Sequence, residues 1–546
     1  MFMKKSHCRT SYLIGFLLAV CGCLLLGEPT PAGAAKGLRT KSTQVAITSP
    51  KSGATVSGSV PIAVLANATV SWVNFYVDSS WIASSPPYTD TWNSSATANG
   101  QHIVSVKGFS SNGALLATSA VNVDVKNALP SPSPTSTPSP TPTPIPTSTP
   151  TPAVSYYFAP SGSDSSTQCS QSSPCQSLAK AQTMIASAKP GTHVLFARGG
   201  SWSGGITMPS HVNGASGNPI VIGNYGSGAL PVINGNGSAI ACFYARGTGN
   251  STSPLWSYIT IDGFECRNST QYGVLFYQNQ GGSFGMPGIV VQNMNIHNTG
   301  PLVDDGNYRN QLMFLDENAK PDGVRFLNDT VASCGGHNCI EIQLDTGAPI
   351  ISGSDCIGPW NHNCIDLKAV TGALVQKNIV NGASASAGSA FYVENTQIPA
   401  ADVTFQENVI YNAPNGFECE WGGAGTGVST TCHIINNTVY LGTQSAIVTG
   451  GDPTCGNVTL DVRNNILDTT DTYYNGHSCT TPSWDYNDDG ASQGKVGGPV
   501  GSHDMNGVNP MYVNAGALNL QLNSASPCIG AGLVGLTPGN NNMGAY

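Results

Sequence analysis

At 546 residues the chain is too long for one small domain, and its charged fraction of 9% lies far below the roughly 25% usual in globular proteins. Gly, Ser, Thr and Asn fill the gap, which suits an extracellular β-protein rich in tight turns. The net charge of −9, with no Lys/Arg cluster beyond the N-terminus, argues against a nucleic-acid partner.

Lys4, Lys5 and Arg9 precede an apolar run from Tyr12 to Leu26 and then the small residues Ala32, Gly33, Ala34 and Ala35. This layout predicts a secretory signal peptide over 1–35. A lipoprotein anchor at Cys23 fits poorly, because the apolar run continues past it. No later segment is apolar enough to span a membrane, so a secreted monomer is expected. Of 16 cysteines three fall in the signal, and the odd remainder of 13 leaves at least one unpaired. Cys169 and Cys175 flank one short loop and Cys339 and Cys364 share a register, which makes these the expected disulfides. Zinc is the weaker use of cysteines that form no CxxC pair. Cys419 is expected to be a small buried hydrophobe.

From 44 to 127 short alternating strands such as VPIAVLA, VSWVNFYVD and HIVSVKGF predict a small β-sandwich. ITSPKSGATVSGSVPIAV and NGQHIVSVKGF resemble the bacterial immunoglobulin-like modules of secreted enzymes. Trp72, Trp81, Tyr88 and Trp92 serve either its core or a sugar-stacking platform. Residues 128–153 are almost entirely Pro, Ser and Thr, cannot bury a core, and read as a semi-rigid linker.

Residues 154–546 form the second unit. SLAKAQTMIASA has helical periodicity and is expected to cap the open end of a stack. Thereafter a unit recurs in VRFLNDTVAS, LVQKNIVNG, VTFQENVIYN, CHIINNTVYL and LDVRNNILD. Its polar residue falls at Asp329, Asp355, Asn378, Asn408, Asn437 and Asn465, in steps of 26, 23, 30, 29 and 28. Such steps belong to a solenoid, and the stacked polar residues predict a structural ladder.

Within the solenoid HNCIEIQL, HNCIDLKA, GSAFYVEN and NGFECEWG alternate apolar and polar positions. Strands would send Ile340/Ile342, Ile365/Leu367, Phe391/Val393 and Phe417/Cys419 inward. Stacked about 4.8 Å apart, they would carry Glu341, Gln343, Asp366, Lys368, Tyr392, Glu394, Glu418 and Glu420 outward as one acidic strip with a single lysine. Like charges at that spacing need a cation or a proton between them, so the strip is either a solvated face or a cleft for a divalent cation.

YYFAPSGSDSS, the coil repeats and the terminal MGAY resemble the right-handed parallel β-helix of extracellular polysaccharide lyases and glycosidases. NHNCIDLKAVTGALVQKNIVNG resembles the coil that carries the essential lysine of family 9 pectate lyases. That resemblance implies β-elimination from polygalacturonate or a related polyuronate, with Lys368 as base and calcium on Asp366, Glu341 and Glu394. Gln343, Tyr392, Glu418, Glu420, Trp360 and Trp421 are then expected to line the substrate. The alternatives are an inverting glycoside hydrolase using Asp366 and Glu394, and a carbohydrate-binding surface protein without turnover. His337 and His362 are expected to stack at a turn rather than bind metal. The DYNDDG loop at 485–490 is expected to be a turn, since position twelve of a calcium loop is Val496. Arg309 and Arg325 are further candidates for a substrate carboxylate.

Overall fold

The structure is a computed structural model that describes residues 45–127 and 154–546, less short stretches of which 301–309, 421–427, 450–456 and 490–497 are the longest. The expected signal and linker lie outside the described residues. Two compact units divide between Pro146 and Thr147.

The first unit is a two-sheet sandwich. One sheet contains Val45–Ser49, Ser59–Ala66 and Thr89–Asn93, and the other Ala54–Val56, Leu115–Val125, Gly100–Phe109, Trp72–Val77 and Ser80–Ser85. Alternation places Ile62, Val73, Phe75, Val104, Val106 and Val123 in the core. Trp92 joins them, which assigns it to packing. The side chains of Trp72, Trp81 and Tyr88 lie outside the described residues.

The second unit is a parallel β-helix. Each complete coil contributes one strand to each of three parallel sheets, which reach 12, 11 and 10 strands because the terminal coils are incomplete among the described residues. The helix Leu178–Ala186 opens at Ser177, whose hydroxyl accepts the Lys180 N–H, and buries Leu178, Ala181 and Ile185 against the first coils. It forms where the helical period was expected.

A buried polar ladder runs along the turn between the 12- and 11-stranded sheets. Asn378 Oδ1 accepts the N–H of Ser354, Asn408 that of Asn378, Asn437 that of Asn408, and Asn465 that of Asn437, all at 2.9–3.0 Å. Before each rung the chain turns through left-handed backbone, at Asn328, Gly353, Lys377, Glu407, Asn436 and Asn464. The rung assigned to Asp355 is instead Ser354, whose hydroxyl accepts the N–H of Asp329. Asp355 lies one residue beyond, in the strand Asp355–Ile357. DYNDDG is not a mere turn either: Asn487 caps the N–H of Asn465, between the strands Ser483–Asp485 and Asp488–Asp489.

Cys169 and Cys175 pair as expected. Cys339 and Cys364 do not pair with each other, although they sit on adjacent coils. Each bonds a cysteine of the preceding strand in its own turn of chain, Cys334 and Cys356 respectively. Cys419 is buried but bonded to Cys432, and Cys242 is bonded to Cys266. Cys528 is the free cysteine among the described residues. No helix among them is long and apolar enough to cross a membrane.

Candidate active site

The 10-stranded sheet carries the acidic strip in the expected register. Glu341 pairs with Asp366, Asp366 with Tyr392, and Tyr392 with Glu418; Gln343 pairs with Lys368, and Lys368 with Glu394. Ile340, Ile342, Ile365, Leu367, Phe391, Val393, Phe417 and Cys419 are fully buried beneath them. The Phe391 and Phe417 rings stack at 5.2 Å, which holds successive strands in line.

The strip is not uniformly solvated. Glu341 and Asp366 are 0% and 1% exposed, so neither lines a substrate surface. What covers them is a second ladder, at the turn entering this sheet. Asn310 Oδ1 accepts the N–H of Asn338, Asn338 Oδ1 that of Asn363, and Asn363 Oδ1 that of Ser389, each at 3.0 Å. With each carbonyl committed to the ladder, each amide NH2 must face the carboxylates. Asn338 Nδ2 donates to Asp366 Oδ2 at 2.8 Å and to Glu341 Oε2 at 3.1 Å. Asn310 and Gln343 also donate to Glu341, and Asn363 to Asp366 at 3.3 Å. Gly388 brings the chain into this ladder with φ of 77°, where any Cβ would collide with the His362 carbonyl.

Lys368 lies over this floor. Its Nζ is 3.4 Å from Glu341 Oε1 and 3.7 Å from Asp366 Oδ2, and 19% of its side chain is exposed. Burial, reinforced by the neighbouring Glu341 charge, raises the proton affinity of Asp366 well above that of an ordinary carboxylate. Its Oδ1 accepts no hydrogen bond, which leaves a place for that proton. Tyr392 donates its hydroxyl to Glu420 Oε2 at 2.5 Å. Burial also holds the Tyr392 proton, and the adjacent Glu420 carboxylate adds to the effect. Glu418 accepts from the Ser389 hydroxyl, and burial with the adjacent Glu420 raises its proton affinity too.

Several expected members fall elsewhere. Trp360 is 1% exposed and belongs to the solenoid core, so it offers no face to a sugar. Arg325 lies on the 12-stranded sheet, paired with Val290 and Ile350, away from the strip. Trp421 and Arg309 lie outside the described residues. The His337 and His362 rings stack at 4.3 Å, as expected. The ladder amides Asn310, Asn338 and Asn363 escaped the sequence reading, although Asn338 and Asn363 each stand three residues before an acid in the repeated HNCI[E/D] pattern.

Calcium prefers oxygen donors, and this acid floor turns nitrogen donors and an ammonium toward its carboxylates. Among the described residues, no three Asp, Glu or His side chains bring ligand atoms within 4.8 Å of one another; one cysteine group does, Cys339 with Cys356 and Cys364, all disulfide-bonded. Asp366, Glu341 and Glu394 therefore do not fit a calcium site.

Residues 44–106 match the bacterial Ig domain family. No curated protein matches the chain. Among solved structures, fibronectin(III)-like modules of Clostridium thermocellum CbhA are similar at 29% identity and a TM-score of 0.14, covering 16% of this chain and 100% of theirs. An alginate lyase from Paenibacillus sp. str. FPU-7 is similar at 19% identity over 60% of this chain and 98% of that one, with a TM-score of 0.37. A family 28 exopolygalacturonase of Yersinia enterocolitica is similar at 11% identity over 82% and 88%, with a TM-score of 0.32.

Proposed function

We propose that the chain is a secreted enzyme that depolymerises an acidic polysaccharide by β-elimination, with Lys368 as the base. The observation that carries this reading is the lysine's setting: an accessible ammonium placed on a buried carboxyl of raised proton affinity. Proton transfer from Lys368 to Asp366, whose Oδ2 lies 3.7 Å from Nζ, yields a neutral amine beside a neutral acid. Glu341 stays in place through that change, because Asn310, Asn338 and Gln343 donate to it independently of the lysine. The amine then takes the C5 proton of a uronate, the C4–O bond breaks, and a C4=C5 double bond forms. The departing sugar oxygen needs a proton, and Tyr392 one row away, with the Glu418/Glu420 pair in the row beyond, is placed to supply it.

A hydrolytic reading also has support, since burial and the neighbouring Glu420 raise the proton affinity of Glu418, the direction a general acid requires. It would use these glutamates with Glu394 rather than the covered Asp366. The test is to incubate the protein with polygalacturonate, alginate and a neutral glucan, following both absorbance of unsaturated uronates and new reducing ends. Both signals rising together on a uronate support elimination. Reducing ends without absorbance would replace it by hydrolysis, and silence on every glycan would leave a binding protein.

A further inference from the structure

The column of side chains that holds Lys368 continues past the acidic strip toward the N-terminal end of the solenoid. Arg246 pairs with Tyr277, Tyr277 with Leu315, Leu315 with Gln343, and Gln343 with Lys368. At about 4.8 Å per row, Arg246 stands roughly 19 Å from Lys368 along one straight face. Beside it opens a cavity of about 260 Å³ lined by Arg246, Tyr272, Tyr277, Met313, Leu315 and Gln343.

The two ends of the column differ in charge balance. Lys368 rests on two carboxylates, whereas Arg246 has none within ion-pair distance among the described residues. Its guanidinium is exposed and stands 5.0 Å from the Tyr277 ring centroid. Glu317, the acid in the cavity wall, accepts the Tyr277 hydroxyl at 2.5 Å. The floor is apolar: Leu275, Met313 and Leu315 form a cluster of their own on this outward face, flanked by Tyr244, Tyr272 and Tyr277. A concave apolar floor with one uncompensated guanidinium fits a ring that has a C–H face and a carboxylate.

We propose that this cavity is a distal subsite, in which Arg246 binds the carboxylate of one sugar unit of a polyuronate whose chain continues across Lys368. The proposal rests on the lyase reading for the direction of the chain, and its chemistry is separable from that reading.

The test is calorimetric titration of the full chain carrying Lys368→Ala, which prevents turnover, with hexamers of galacturonate and of mannuronate and with their carboxyl-reduced counterparts. Adding Arg246→Gln is expected to weaken binding of a carboxylated hexamer roughly ten- to hundredfold and to leave the reduced hexamer unchanged. Arg246→Lys, which keeps the charge and loses the planar fork, should fall between. In the active chain Arg246→Gln should raise KM and leave kcat within about twofold. Equal losses on both hexamers, no loss on either, or no binding of any hexamer would overturn the subsite. Unsaturated product from the active chain with an indifferent Arg246→Gln would remove the subsite and keep the lyase. Arg246-dependent binding without product would keep the subsite and remove the lyase.

Discussion

A lysine whose ammonium touches two carboxylates is ordinarily a poor base, because both neighbours favour its charged form. The surroundings of Lys368 split those neighbours into different roles. Glu341 is held by three side-chain amides, while Asp366 is buried with one oxygen bare and its proton affinity raised. This division separates a base from an electrostatic clamp by experiment. Arginine keeps the charge and does not give up its proton, so Lys368→Arg should lose about 10²–10⁴ in kcat, as much as Lys368→Ala. Substantial activity in the arginine variant would make Lys368 a charge stabiliser and send the search for the base to Tyr392 and the glutamates. Asp366→Asn tests the partner: it preserves volume and a neutral state but accepts no proton, so kcat should fall while substrate affinity stays within about threefold. A pure loss of affinity, with kcat intact, would reduce Asp366 to packing.

At the scale of strands and turns, the two ladders hold the coils in register. Asn408 accepts from both the N–H and the side-chain amide of Asn378 at 3.0 Å, and donates to the Val375 carbonyl and to Asn437. Asn408→Ala leaves several buried groups bare and should cost roughly 3–5 kcal/mol in denaturant unfolding. Asp355, one residue off the ladder, should tolerate alanine within about 1 kcal/mol. Comparable costs at the two positions would undo the assignment of the rung to Ser354. The misreading has a physical cause. Ser354 and Asp355 are both small polar residues, and the sequence does not say which follows the left-handed turn that Gly353 makes. Strand faces were legible because their alternation is strict, as at Phe391 and Val393. Burial of Glu341 and Asp366 was not, because it depends partly on amides contributed by the preceding coil, Asn310 and Asn338. The cysteine pairing failed for a related reason: Cys339 and Cys364 share a face, but the connecting turns bring Cys334 and Cys356 closer to each.

Across the whole solenoid the buried acids set how stability depends on pH. Burial raises the proton affinity of Asp322, Asp329 and Asp345, and pushes Asp488 up to about 7 and Asp489 up to about 9. Each titrates near about 4 when unfolded, so between about pH 4 and pH 9 the native chain binds more protons than the unfolded one. Stability must then fall as pH rises through that window. His433, raised chiefly by its hydrogen bond to Asp461, contributes in the same direction. Asp164, Asp461 and Asp485 are lowered by hydrogen bonds to Ser177, His433 and His503, and their contribution disappears only as pH falls below about 4. The optimum is therefore expected near about pH 5, with Tm lower by at least about 3 °C at pH 9. Asp489→Asn isolates one acid. The amide oxygen can still accept the Trp484 Nε1–H, which Asp489 accepts at 2.9 Å, but the group no longer titrates. Its Tm should gain on the parent's as pH rises from 5 to 9, because the parent must ionise a buried carboxyl over that range. Calorimetric scans of both proteins across the range read the slope directly, and a parent Tm that climbs between pH 5 and pH 8 would contradict the sign derived from these carboxyls.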